Sequence, residues 1–123
     1  MATAITAELH NHDMMIVQAT LTSNGGGASV TTTHSYKGFL VQFETDPDDS
    51  DAPTADWDLT ISDDYLSDIT AGSGADRHNA NTEVRYQDDL HNGVACHGQL
   101  TFTGANMGSG KTAVVTAYIV RVQ

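Results

Sequence analysis

The chain has 123 residues and carries 16 Asp and Glu against 5 Lys and Arg, a formal net charge of -11 at pH 7. That length supports one independent core, so a single domain over residues 1–123 is expected. The charge repels phosphate backbones and anionic lipid, which argues against nucleic acid and membrane surfaces as partners.

The first segment, "MATAITAELHNHDMMIVQATLT", has no basic start and no apolar stretch long enough for a signal peptide or a membrane span. The expectation is a protein that stays in the cell or leaves it by lysis. His10 and His12 form an H-x-H pair that shares one face if the segment is a strand. Six histidines are scattered along the chain, and surface or interface histidines are a better reading than a structural metal site. "MMIVQATLT" (14–22) reads as the first clear strand.

The run "SNGGGASV" (23–30) is turn-rich and reads as a loop. "HSYKGFLVQFET" (34–45) reads as a strand. It leads into "ETDPDDSDAPTAD" (44–56), a loop dense in Asp. A helix-flanked calcium loop starting at Asp46 needs Gly and Glu where this chain has Asp51 and Trp57, so that motif fails. A solvated acidic loop is the expectation, with no cofactor and no metal.

"DWDLTIS" alternates: Trp57, Leu59 and Ile61 fall on one face, Asp58, Thr60 and Ser62 on the other. "DDYLSDIT" (63–70) fits one short helical turn, and "TAGSGADRHNAN" (70–81) is loop-like. The single cysteine, Cys96, allows no internal disulfide and reads as a buried reduced thiol. "GQLTFTG" (98–104) alternates again, with Leu100 and Phe102 inward.

Ala105 to Thr112, "ANMGSGKT", fits the loose form of a phosphate-binding loop. Such a loop must open a helix whose N-terminus faces the phosphates. Here it is followed by "TAVVTAYIVRV", whose β-branched residues favour a strand. The expected structure is a terminal hairpin with a mobile tip and Lys111 in water. No G-x-S-x-G elbow occurs, and no catalytic constellation stands out, so an enzyme is not expected. Together these segments predict an all-β protein of seven or eight antiparallel strands, a β-sandwich or jelly roll.

The stretch from Gly38 to Arg77 carries a further pattern. A strand ends in Thr45-Asp46-Pro47, and Ala52-Pro53-Thr54 leads into Trp57-Asp58-Leu59. An acidic turn at Asp63-Asp64 follows, and then Gly72 to Arg77 as G-x-G-x-x-R. With the Gly98–Val120 segment, this resembles small structural proteins of tailed viruses, of the head-decoration or neck type. The chain departs from the usual pattern at "DDYLSD" and in its His-rich N-terminus.

The resemblance implies a non-enzymatic virion subunit, made in the host cytoplasm, that binds major capsid or neck proteins and self-associates, as a trimer. With the acidic bias it suggests a halophilic host. The alternatives are a tail or fibre-attachment module, or a small cellular cation- or ligand-binding β-domain. As interface residues the reading names His10, His12, Met14 and Met15 in the N-terminal segment, and Asp46, Asp48 and Asp51 in the acidic loop.

Overall fold

The computed structural model describes residues 3–10, 13–85 and 93–121. Its strands are β1 (Ala4–His10), β2 (Met14–Thr22), β3 (Ala28–Pro47), β4 (Asp58–Ser62), β5 (Glu83–Arg85), β6 (Val94–Ala105) and β7 (Thr112–Arg121). All pair antiparallel in one sheet of order β1-β2-β7-β3-β6-β4, with β5 added on β3. The all-β antiparallel class read from the sequence is the class observed, and the arrangement is that of a β-sandwich.

One long strand makes the sandwich from a single sheet. The first part of β3 pairs with β6, from Ala28↔Gly104 to Leu40↔Val94. The second part pairs with β7, from Gly38↔Arg121 to Pro47↔Ala113. The sheet folds over along β3. As a result Leu21 of β2 comes within 3.4 Å of where a side chain on Gly104 of β6 would begin, although β7 and β3 separate those strands in the sheet.

The core lies between the two layers. Val17, Ala19 and Leu21 of β2 and Val115, Ala117 and Ile119 of β7 face Leu59 and Ile61 of β4 and Leu100 and Phe102 of β6 in one buried cluster. Leu40, Phe43, Trp57 and Met107 belong to the same cluster. Burying each large side chain contributes about 1.5–3 kcal/mol, which is what drives the sheet to fold over. The predicted inward sets Trp57, Leu59, Ile61 and Leu100, Phe102 are all buried. Cys96 is buried too. Burial, with the negative charge of Asp63, pushes its thiol up to about 11, against a smaller opposing effect of a hydrogen bond involving the Gly38 backbone.

The expected terminal hairpin is not there. β6 and β7 do not pair with each other; β3 runs between them. Residues 106–111 instead arch from one layer to the other, and the arch is anchored along its length. Ser23 donates its N–H to the Lys111 carbonyl (2.7 Å) and accepts the N–H groups of Gly110 (3.0 Å) and Lys111 (2.9 Å). Its hydroxyl also bonds the Gly108 carbonyl. The Met107 side chain is fully buried, and its N–H donates to the Gly26 carbonyl at 2.8 Å. The expected mobile tip is therefore a packed plug: an apolar side chain among small turn residues supplied the anchor.

The expected helical turn at 63–70 is also absent. Asp63 Oδ1 accepts the N–H groups of Tyr65 (2.9 Å) and Leu66 (2.7 Å), which holds a tight non-helical turn. Cys96 provides one check of the packing. Its thiol should resist a disulfide-exchange reagent in the native protein at pH 8 and react once the chain is unfolded in guanidinium. Rapid native labelling would contradict its burial.

Gly38 provides a second check. It sits where β3 has β6 on one side and β7 on the other, and a Cβ there would overlap the Val120 carbonyl oxygen. Gly38→Ala should destabilise the fold by about 1–3 kcal/mol, read as a lower urea midpoint at unchanged slope.

Candidate interaction surface

The outer face of β2 and β7 stands out against the charge of the chain. Alternation turns Met14, Ile16, Gln18, Thr20 and Thr22 of β2 away from the core, with Val114, Thr116, Tyr118 and Val120 of β7 opposite them. None of these nine side chains is charged. The register continues the face sideways: Leu9 lies opposite Ile16, Phe39 opposite Val120 and Gln42 opposite Tyr118. Leu9 is 56% exposed, Phe39 43% and Val120 37%. The middle of the face is tied by polar contacts, with Thr6 Oγ1 to Gln18 Oε1 at 3.1 Å and Gln18 Nε2 to Thr116 Oγ1 at 3.4 Å. Acidic groups return at its border, where Glu44 lies opposite Thr116 and Asp46 opposite Val114.

The residues named from the sequence fall in three places. Met14 belongs to the neutral face. Met15 does not: it is 2% exposed, opposite Ile119, and is a core residue. One step along a strand reverses the face, so two adjacent methionines could not both be outward. His12 lies outside the described residues. Asp46, Asp48 and Asp51 lie at the far end of the sheet from Met14, six residues along β7 and so about 20 Å away.

The acidic loop is built by its own carboxylates. Asp48 Oδ2 accepts the N–H groups of Ser50 (3.1 Å) and Asp51 (2.9 Å). The Asp51 carbonyl accepts from Thr112, and Asp46 Oδ1 accepts from the Thr82 hydroxyl at 2.9 Å. A shallow pocket of about 160 Å³ lies between Asp46, Asp48, Asp49 and Thr112. Among the described residues, no three His, Cys, Asp or Glu converge as metal ligands.

The "ANMGSGKT" segment does not present a phosphate cradle. A strand follows Lys111, and the N–H groups of Met107, Gly110, Lys111 and Thr112 all donate within the protein. Thr112 donates to the Asp51 carbonyl at 2.8 Å.

His10 belongs to a seam that the sequence did not suggest. Residues Thr32 to His34 interrupt the β3–β6 pairing between Thr31 and Ser35. The carboxylate of Glu8, on edge strand β1, takes up the donors this leaves. It accepts the N–H groups of Thr33 (3.3 Å) and His34 (3.1 Å), the Tyr36 hydroxyl (2.8 Å) and the Thr33 hydroxyl. The His10 ring stacks on Tyr36 with centroids 5.2 Å apart and meets His34 edge-on at 5.0 Å. Burial works to raise the Glu8 pKa, but these hydrogen bonds outweigh it and hold the carboxyl below its ordinary value. Burial, and then the bond to Glu8, push the Tyr36 phenol upward.

A second exposed feature is the tip of the 63–66 turn. Tyr65 is 77% exposed and Leu66 48%, and the Tyr65 ring lies 5.5 Å from that of His97. Asp63 Oδ2 accepts the His97 N–H at 2.9 Å, which fixes the tip to β6.

The Glu8 seam gives a prediction with a definite sign. A carboxyl whose folded pKa is depressed stabilises the fold above its ordinary value of 4.5, and the contribution disappears as pH falls through the lower folded pKa. Glu8→Gln should cost about 1–3 kcal/mol at pH 7. The gap between wild type and variant, measured by thermal unfolding, should close progressively below pH 4.5. A gap that stays constant into that acid range would refute the carboxylate's role.

The chain matches no family model, and no curated protein matches it.

Proposed function

We propose that the protein is a non-enzymatic structural subunit of a tailed-virus particle, placed at the capsid surface or the neck. It works by adhesion. The observation that carries this reading is the neutral outer face of β2 and β7 on a chain of net charge -11. Two such chains repel each other over most of their surface. They can approach closely only where neither presents a charge, and this face is such a place.

Its composition suits contact. Leu9, Phe39 and Val120 present apolar area, and Tyr118 adds an aromatic ring. The subunit self-associates through this face, as a trimer, and presents the exposed Tyr65–Leu66 tip and the acidic loop to coat or neck proteins. The virion setting comes from the likeness of the Gly38–Arg77 and Gly98–Val120 segments to small tailed-virus structural proteins. The sandwich supports it as a rigid block whose loops are fixed at both ends.

Two measurements test the reading. Light scattering after size exclusion should give a trimer, and Phe39→Ser with Val120→Thr should weaken its association at least about tenfold while leaving the far-ultraviolet spectrum unchanged. A wild-type monomer at every concentration and salt would overturn self-association. Mass-spectrometric quantification of purified particles should find this chain in fixed ratio to the coat protein; absence from the particle would overturn the virion assignment.

A further inference from the structure

Three turns among the described residues are closed in one way. The side chain of the first residue accepts the backbone N–H groups two and three residues on. Asp48 does so for Ser50 and Asp51, and Asp63 for Tyr65 and Leu66. In the third turn the acceptor is not a carboxylate. His78 Nδ1 accepts the N–H groups of Ala80 and Asn81, each at 2.9 Å.

That exchange of acceptor changes the chemistry. The lone pair that Nδ1 offers to the two N–H groups is the one a proton takes. With Nδ1 accepting, the single proton of the neutral ring sits on Nε2, which lies 3.5 Å from the Asn81 side-chain amide. A second proton makes both ring nitrogens donors. Nδ1–H would then point at two N–H groups, and both bonds are lost together. Histidine as a side-chain type changes charge between about pH 5 and 8, a range through which aspartate stays ionised.

The turn is tied to the fold at both ends. The His78 carbonyl accepts Trp57 Nε1 at 3.2 Å, and the His78 N–H donates to Glu83 Oε1 at 2.6 Å. The Thr82 hydroxyl donates to Asp46 Oδ1 at 2.9 Å. Between these ties no buried side chain holds the turn shut, since residues 78–82 are all exposed. Among the described residues, the charged groups around it are Asp76 and Arg77 on the preceding segment, Glu83 and Arg85 on β5, Asp46 on β3, and Asp56 and Asp58 on either side of Trp57. Glu83 and Asp46 already accept the His78 N–H and the Thr82 hydroxyl, and neither accepts from Ala80 or Asn81.

We propose that His78 is a pH-sensitive latch. With a neutral ring it closes the 78–81 turn; protonation opens the turn and loosens its hold on Trp57 and on Asp46. The latch is independent of the assembly reading above.

The test uses the full chain and its single tryptophan, which is fully buried. Trp57 emission should change in one step between about pH 5 and 8. His78→Asn keeps a side chain that accepts at the same two positions and does not titrate; it should retain the native emission and lose the step. Amide exchange supplies a second reading. Relative to their intrinsic rates, the Ala80 and Asn81 amides should exchange about tenfold faster at the acid end of that range than at the alkaline end, while those of Tyr65 and Leu66 in the Asp63 turn stay unchanged. Nitrogen NMR at about pH 8 should find the His78 proton on Nε2. A wild type without the emission step would overturn the proposal. So would a step that survives in His78→Asn, protection of Ala80 and Asn81 that ignores pH, or a neutral ring that carries its proton on Nδ1.

Discussion

Everything in this fold depends on β3 belonging to both layers. A strand of 20 residues cannot keep one set of neighbours while the sheet folds over, so it changes partner along its length. At Gly38 to Leu40 it is bonded to β6 and β7 together. That crowding is why residue 38 has no side chain: the Val120 carbonyl occupies the place a Cβ would take. The two irregularities of β3 lie on either side of this point, between Thr31 and Ser35 and between Leu40 and Gln42. Bulges increase local twist and bend a strand, and here they let the two ends of β3 point into different layers.

A strand bent this way leaves backbone groups without a ladder partner, and short polar side chains take them up. Thr32 Oγ1 accepts the Leu100 N–H at 3.0 Å, Gln99 Nε2 reaches the Thr32 carbonyl at 2.9 Å, and Glu8 takes the next two amides. The same device recurs in the loops. Asp68 accepts from Ile61, Thr70 and Gly72, and Asp58 accepts from Asp76 and Asn106. With Asp48 and Asp63, a good part of the acidic content is therefore structural. Asp is favoured in such turns because its carboxylate reaches an amide two or three residues on. An acidic composition in this chain reports turn-building as well as surface charge.

This explains what could be read from the sequence and what could not. The period-2 pattern of "DWDLTIS" and "GQLTFTG" is local, and it placed Trp57, Leu59, Ile61, Leu100 and Phe102 correctly in the core. Strand β1, "AITAELH", has small and polar residues because it covers an edge, and it gave no clear signal. The partners of β6 and β7 are set by a strand about 50–90 residues earlier, so adjacency in sequence pointed to a hairpin that does not form. The neutral face was only half legible: Met14 was named with Met15, its inward neighbour. Arg77 was read only as the end of a loop-like Gly-rich segment, and nothing local signalled that it is fully buried.

The distribution of charge is thus opposite to the usual one in two places. The outside of β2 and β7 is neutral where a soluble acidic chain would gain from charge, and the β5 side of the core is charged where an apolar side chain would pack at less cost. Neither follows from what the fold alone requires. β7 is central in its layer and is held by β2 and β3 whatever its outer side chains are. Phe43 and Thr45 would be covered equally well by two aliphatic residues on β5. Each exception spends stability that the sandwich does not need to spend. The proposed contact with another protein accounts for the surface exception.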